Sequence, residues 1–159
     1  YGNWRKIEVE KESLTIKDAE YVPEALLQHI MGYPDYPKEF KPSHKNVIWN
    51  NLIAEHSIGV FPLQGAVYLK KYISGSFKAQ FPFRIVYRSY PKSNPETIAS
   101  QQLLENLGRY LEECGISFKN SAVTLESIER TSVAFPIGEK ATDQEYAINM
   151  KLIYSVKKG

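Results

Sequence analysis

The sequence predicts an α+β fold: an antiparallel β-sheet packed against one long α-helix, with a short helical segment near the N-terminus. Three observations predict it. Residues 144–157 alternate, with Tyr146, Ile148, Met150, Leu152, Tyr154 and Val156 on one side and mostly polar residues on the other. A period of two along a chain is the mark of a strand with one face on a core and one in water. Residues 95–114 place Ile98, Leu103, Leu104, Leu107, Tyr110, Leu111 and Cys114 at spacings of three and four, which makes one apolar stripe on a helix. Residues 66–90 hold two strand-like runs around Ser74-Gly75-Ser76, a hairpin turn signal.

From the N-terminus, residues 7–16 read as a weak strand or an extended arm, since Ile7 and Val9 alternate with Glu8 and Glu10 only briefly. A short helix follows. Pro23 falls in its first turn, where a missing N–H does no harm, and Glu24 suits the helix dipole. Leu26, Leu27, Ile30 and Met31 form its apolar side, and Gly32 stops it. Pro34, Pro37 and Pro42 then make residues 33–42 a loop or extended linker. Ser43 is placed to cap a second helix reaching about His56, with Val47, Ile48, Leu52 and Ile53 on one side.

Strands are expected at 57–63, 66–73 and 77–90. In the last, Phe81, Phe83, Ile85 and Tyr87 share a face opposite Arg84, Arg88 and Tyr90. Asn94 and Pro95 open the long helix as N-cap and first residue, and Gly115 closes it. Cys114 reads as a small buried hydrophobe on the helix stripe. A strand over 122–130 is expected to turn Val123, Leu125 and Ser127 the same way, and 132–143, with Pro136 and Gly138, reads as a long loop or irregular hairpin connection. Two parts follow: an N-terminal arm over 1–42 with a short helix and a proline-rich linker, and an α+β domain over 43–159.

Composition narrows the function classes. A hydrophobic fraction of 43% with 24% charged residues fits a folded chain, and 159 residues suffice for one sizeable core. A net charge of +2 gives no electrostatic case for nucleic acid or an acidic membrane. No apolar run approaches the ~18 residues of a membrane span. No apolar signal segment follows Tyr1, and a lone cysteine cannot form an internal disulfide, so a reducing cytosolic origin is expected. The first residue is Tyr1 rather than Met, as expected of a trimmed or tagged chain.

Motifs for catalysis are missing. His29, His44 and His56 have no Cys or His partner at metal-ligand spacing. No nucleophile elbow, P-loop or dinucleotide fingerprint occurs. No cofactor, metal or enzymatic activity is expected. Lys70, Lys71, Lys78, Arg84 and Arg88 do interleave with Tyr68, Tyr72, Tyr87 and Tyr90, a pattern that a base-stacking sheet could share. A nucleic-acid binding module is therefore the alternative of another class, although lysines on strand exteriors also protect sheet edges.

Residues 61–92 resemble the minor capsid or tail terminator proteins of long-tailed phages of Gram-positive hosts. The matching pieces are Pro62-Leu63-Gln64-Gly65, Lys71-Tyr72-Ile73-Ser74-Gly75-Ser76, Phe81-Pro82-Phe83, and the helix from Leu104 to Glu113. The strand from Tyr146 to Tyr154 stands where that family has its closing amphipathic strand. The resemblance runs over roughly 57–157. Tyr110 stands in place of an expected tryptophan, and the first 56 residues do not match the short N-terminal helix expected of the family.

The resemblance implies a structural virion protein. Such subunits form a ring, expected to be hexameric, that caps the tail tube and joins it to the head connector. The implied partners are further copies of the chain, the major tail tube protein and the head–tail connector protein, with no membrane and no sequence-specific nucleic acid. The implied location is the tail or neck of a virion assembled in the bacterial host cytoplasm. A head-completion or neck subunit is the nearest alternative. Candidate contacts with other subunits or the tube are Tyr68, Lys70, Tyr72, Arg84 and Arg88 on the hairpin, and Phe135, Ile137, Glu139 and Lys140 in the later loop.

Overall fold

Two long strands, β4 (Phe77–Ser89) and β7 (Gln144–Val156), lie side by side at the centre of the sheet. The computed structural model describes residues 22–34, 48–49, 58–65, 67–89, 94–118, 121–137 and 144–157. β4 and β7 are antiparallel and in unbroken register from Phe77↔Val156 to Ser89↔Gln144. The alternation read from the sequence therefore places Phe83, Ile85 and Tyr87 opposite Met150, Ile148 and Tyr146. All six are buried, and they form the floor of the core.

The remaining strands flank this pair. β2 (Ile58–Pro62) and β3 (Tyr68–Lys71) run antiparallel to successive stretches of β4 on its free side. β5 (Val123–Arg130) and β6 (Phe135–Ile137) do the same along β7. β1 (Ile48–Trp49) extends the sheet beyond β2 and is its parallel member.

Helices cover one face. α1 spans 22–31, and α2 spans Asn94–Cys114. Leu104, Leu107 and Leu111 of α2 are fully buried in the same cluster as the central strands. Val22, Leu26 and Ile30 of α1, spaced by four, join that cluster together with Tyr33. The fold of the described residues is thus α+β.

Gly75 in the β3–β4 turn (φ 92°) and Gly115 after α2 (φ 69°) take the left-handed backbone that a side chain resists.

Several expectations are corrected. The second helix expected over 43–56 is contradicted at its described residues: Ile48 and Trp49 are extended and pair with Gly59 and Val60. Isoleucine and tryptophan favour strands, and β2 offered an unpaired edge. Trp49 also stacks 6.0 Å from Phe81, which in turn stacks 6.0 Å from Phe83. The loop or irregular hairpin connection expected over 132–143 contains a strand, β6, laid on β7 at Phe135↔Ala147, so the loop alternative gives way at 135–137. Pro136 is tolerated there because an edge strand need not donate on its outer side.

Cys114 is exposed rather than buried, and so is Ile98. The fully buried leucines of the stripe are Leu104, Leu107 and Leu111, and the core cluster resumes after the helix at Ile116. In β5 a register shift between Leu125 and Ser127 resets the alternation and buries Ile128 instead of Ser127. The weak strand or arm expected at 7–16, and Tyr90, lie outside the described residues.

Candidate interaction surface

Residues 67–77 form a hairpin whose side chains are mostly in water. Every residue of β3 is exposed. Val67, Tyr68, Leu69, Tyr72 and Ile73 are all large hydrophobics left in solvent, and Ile73 at the turn is fully so. Among the described residues only Ile98 and Val133 share that condition. The local sequence dictates it. Five of the seven residues from Val67 to Ile73 are apolar or aromatic, and β3 is irregular between Tyr68 and Lys70, so they cannot all turn to one covered face.

The backbone of the hairpin is well tied. Tyr72 N–H donates to Ser76 O at 2.9 Å, Gly75 N–H to Tyr72 O at 3.0 Å, and Gln80 N–H to Val67 O at 2.8 Å. Lys71 Nζ lies 4.3 Å above the Tyr68 ring, and Lys70 Nζ lies 5.3 Å above the Tyr72 ring. Tyr68 also meets Phe77 edge-on at 5.1 Å. Each cation–π contact at such an exposed site contributes roughly 0.5–1 kcal/mol. The tip is thus a preformed apolar surface with two ammonium groups on it.

The sheet face away from the helices is a second, different surface. Arg84 Nε donates to Asn149 Oδ1 at 2.8 Å, and its guanidinium lies 5.4 Å from the Phe135 ring. Arg88 Nη2 pairs with Glu145 Oε1 at 2.8 Å. Between them a cavity of about 330 Å³ is lined by Phe61, Pro62, Val86, Arg84, Ile137 and Glu145, among others. At the β3 end of this face Lys78 Nζ meets Glu126 at 2.7 Å. The hydrogen bond with Glu126 raises Lys78 above its usual pKa, and the same contact, with one from Ser155, lowers Glu126.

The sequence-based site residues therefore fall into two groups. Tyr68, Lys70 and Tyr72 sit together on the hairpin. Arg84, Phe135 and Ile137 come together on the open face, with Arg88 held nearby through Glu145. Glu139 and Lys140 lie outside the described residues. Val67, Leu69 and Ile73 were missed, although the density of apolar residues in the run from Val67 to Ile73 was the available signal.

No protein-family model matches the sequence, and no curated protein matches it either. Among the described residues no group of three or more His, Cys, Asp or Glu side chains is placed to hold a metal ion. No helix among them is long and apolar enough to cross a membrane.

Proposed function

We propose that this chain is a structural virion protein, a subunit resembling phage tail terminator or minor capsid proteins that works by docking rather than by bond chemistry. In this reading copies close into a ring, taken as a hexamer, which covers the end of the tail tube and presents a surface to the head–tail connector. The place of action is the tail or neck of a virion assembled in the host cytoplasm.

The observation that carries the reading is the hairpin over 67–77. Large hydrophobic side chains left clustered in water mark interaction surfaces, because covering them is favourable. Here the patch is rigidly held by backbone hydrogen bonds rather than collapsed on the core. Its side chains are the mix of tyrosine and aliphatic residues that recurs in the centre of protein interfaces.

The same details weigh against the nucleic-acid alternative. Lysines already lie over the Tyr68 and Tyr72 rings, and Lys78, Arg84 and Arg88 have polar partners within the chain. Base stacking would have to displace those contacts first.

The test is tube growth. Purified chain is added to tail tube protein during polymerisation, and tube lengths are measured by electron microscopy. Arrest of growth, with the chain at one tip, is the expected outcome. Tubes of unchanged length with bare tips would overturn the reading. Capture of portal or connector protein without tube binding would move the assignment to a neck subunit.

A further inference from the structure

We infer that the hairpin tip of one copy docks into the cleft beside Val133 of the next, so that subunits join head to tail. The inference rests on the ring reading above and names the surfaces that would make it. A cyclic ring of more than two copies needs two different patches on each chain that fit one another. The fold supplies two at opposite margins of one sheet: β3 lies on the outer side of β4, while β5 and β6 lie on the outer side of β7.

The second patch is built as follows. A cleft of about 460 Å³ is lined by Glu105 and Glu112 from α2 and by Arg130, Thr131, Ser132 and Val133 from the chain after β5. Arg130 bridges both carboxylates, with Nη1 2.8 Å from Glu105 and Nε 2.6 Å from Glu112. Glu105 also accepts Ala134 N–H at 2.6 Å, and Glu112 accepts Arg130 N–H at 3.2 Å. These bonds hold the rim in place, so Val133 stays 73% exposed at the mouth instead of folding inward.

The two patches complement each other. The tip offers Ile73 and Tyr72 as apolar anchors and carries Lys70 and Lys71. The cleft offers Val133 as an apolar rim above two carboxylates and a single guanidinium, a net negative site. Apolar contact supplies the cohesion, and the charges set orientation and reject the wrong pairing. A tip-to-tip contact would instead bring four lysines together.

Disulfide trapping tests this in the full chain, with the exposed Cys114 first changed to Ser. A chain carrying Ile73→Cys and Val133→Cys is oxidised mildly at assembly concentration and on tube ends. A non-reducing gel should show a ladder that rises through dimer and trimer to the ring size. Lys70→Glu with Lys71→Glu should raise the concentration needed for assembly about tenfold at low salt, and added salt should ease that penalty where it weakens assembly of the parent. Rings seen by native mass measurement without a ladder would overturn this contact and leave the ring reading intact. Dimers from Ile73→Cys alone, with no ladder, would mean tip-to-tip pairing and overturn it as well. Neither rings nor ladder, free or on tube ends, would remove both this contact and the ring.

Discussion

Gly108 lies directly beneath Arg130: a methyl group at position 108 would stand 2.9 Å from Arg130 Cδ and 3.2 Å from its Cγ. Glycine in the middle of a helix costs about 1 kcal/mol relative to alanine. Its presence in α2 lets the Arg130 stem cross the helix and reach Glu105 and Glu112 on either side. Gly108→Ala should therefore lose its usual gain in helix stability because Arg130 is displaced. In an Arg130→Ala background the same change should be more favourable by about 1 kcal/mol. Urea denaturation of the four variants reads that coupling, and a coupling near zero would mean that Arg130 moves aside freely.

The N-terminal helix should contribute to global stability. Leu26 is fully buried in the cluster that also holds Leu107, Phe83 and Ile148. Leu26→Ala should cost about 2–5 kcal/mol, as for other buried leucines. A loss under about 0.5 kcal/mol in denaturant titration would mean that α1 lies loosely on the sheet.

Stability should fall at both ends of the pH scale through two aromatic positions. His29 stacks on Tyr110 at 5.4 Å, and burial holds its pKa below the usual 6.5. Its charged form is therefore favoured when α1 is released. Stability from this group is present above pH 6.5 and is lost as pH falls below it. Tyr87 behaves in the opposite sense, since burial pushes its pKa up to about 12 from 10. Its contribution holds below pH 10 and is lost as pH rises towards 12. Melting temperatures should drop between pH 7.5 and 5.5 in the parent chain and less in His29→Phe. They should drop between pH 10 and 12 in the parent and less in Tyr87→Phe. Parallel curves for parent and variant would contradict either assignment.

How much of this was legible beforehand depends on the length of each pattern. β7 and α2 carry many repeats of their period, so Tyr146 to Val156 and Leu104 to Leu111 declare their buried sides. β1 shows only Ile48 and Trp49 among the described residues, too few to outvote the helical spacing around them in the sequence. β6 was hidden by Pro136, whose tolerance depends on lying at an edge that the sequence does not reveal. At the candidate site, the lysine and tyrosine residues of the hairpin were visible as types. Their partners were not, because Glu126, Glu145 and Asn149 reach Lys78, Arg84 and Arg88 from distant parts of the chain.

The hairpin is proposed as a surface made to be covered by protein. Backbone hydrogen exchange over 67–77 measures that directly, in the free chain and then in the ring or on tube ends. Exchange should be slower by at least about tenfold on assembly than in the free chain, as solvent is excluded from the tip. Equal exchange in both states, with assembly independently confirmed, would contradict it.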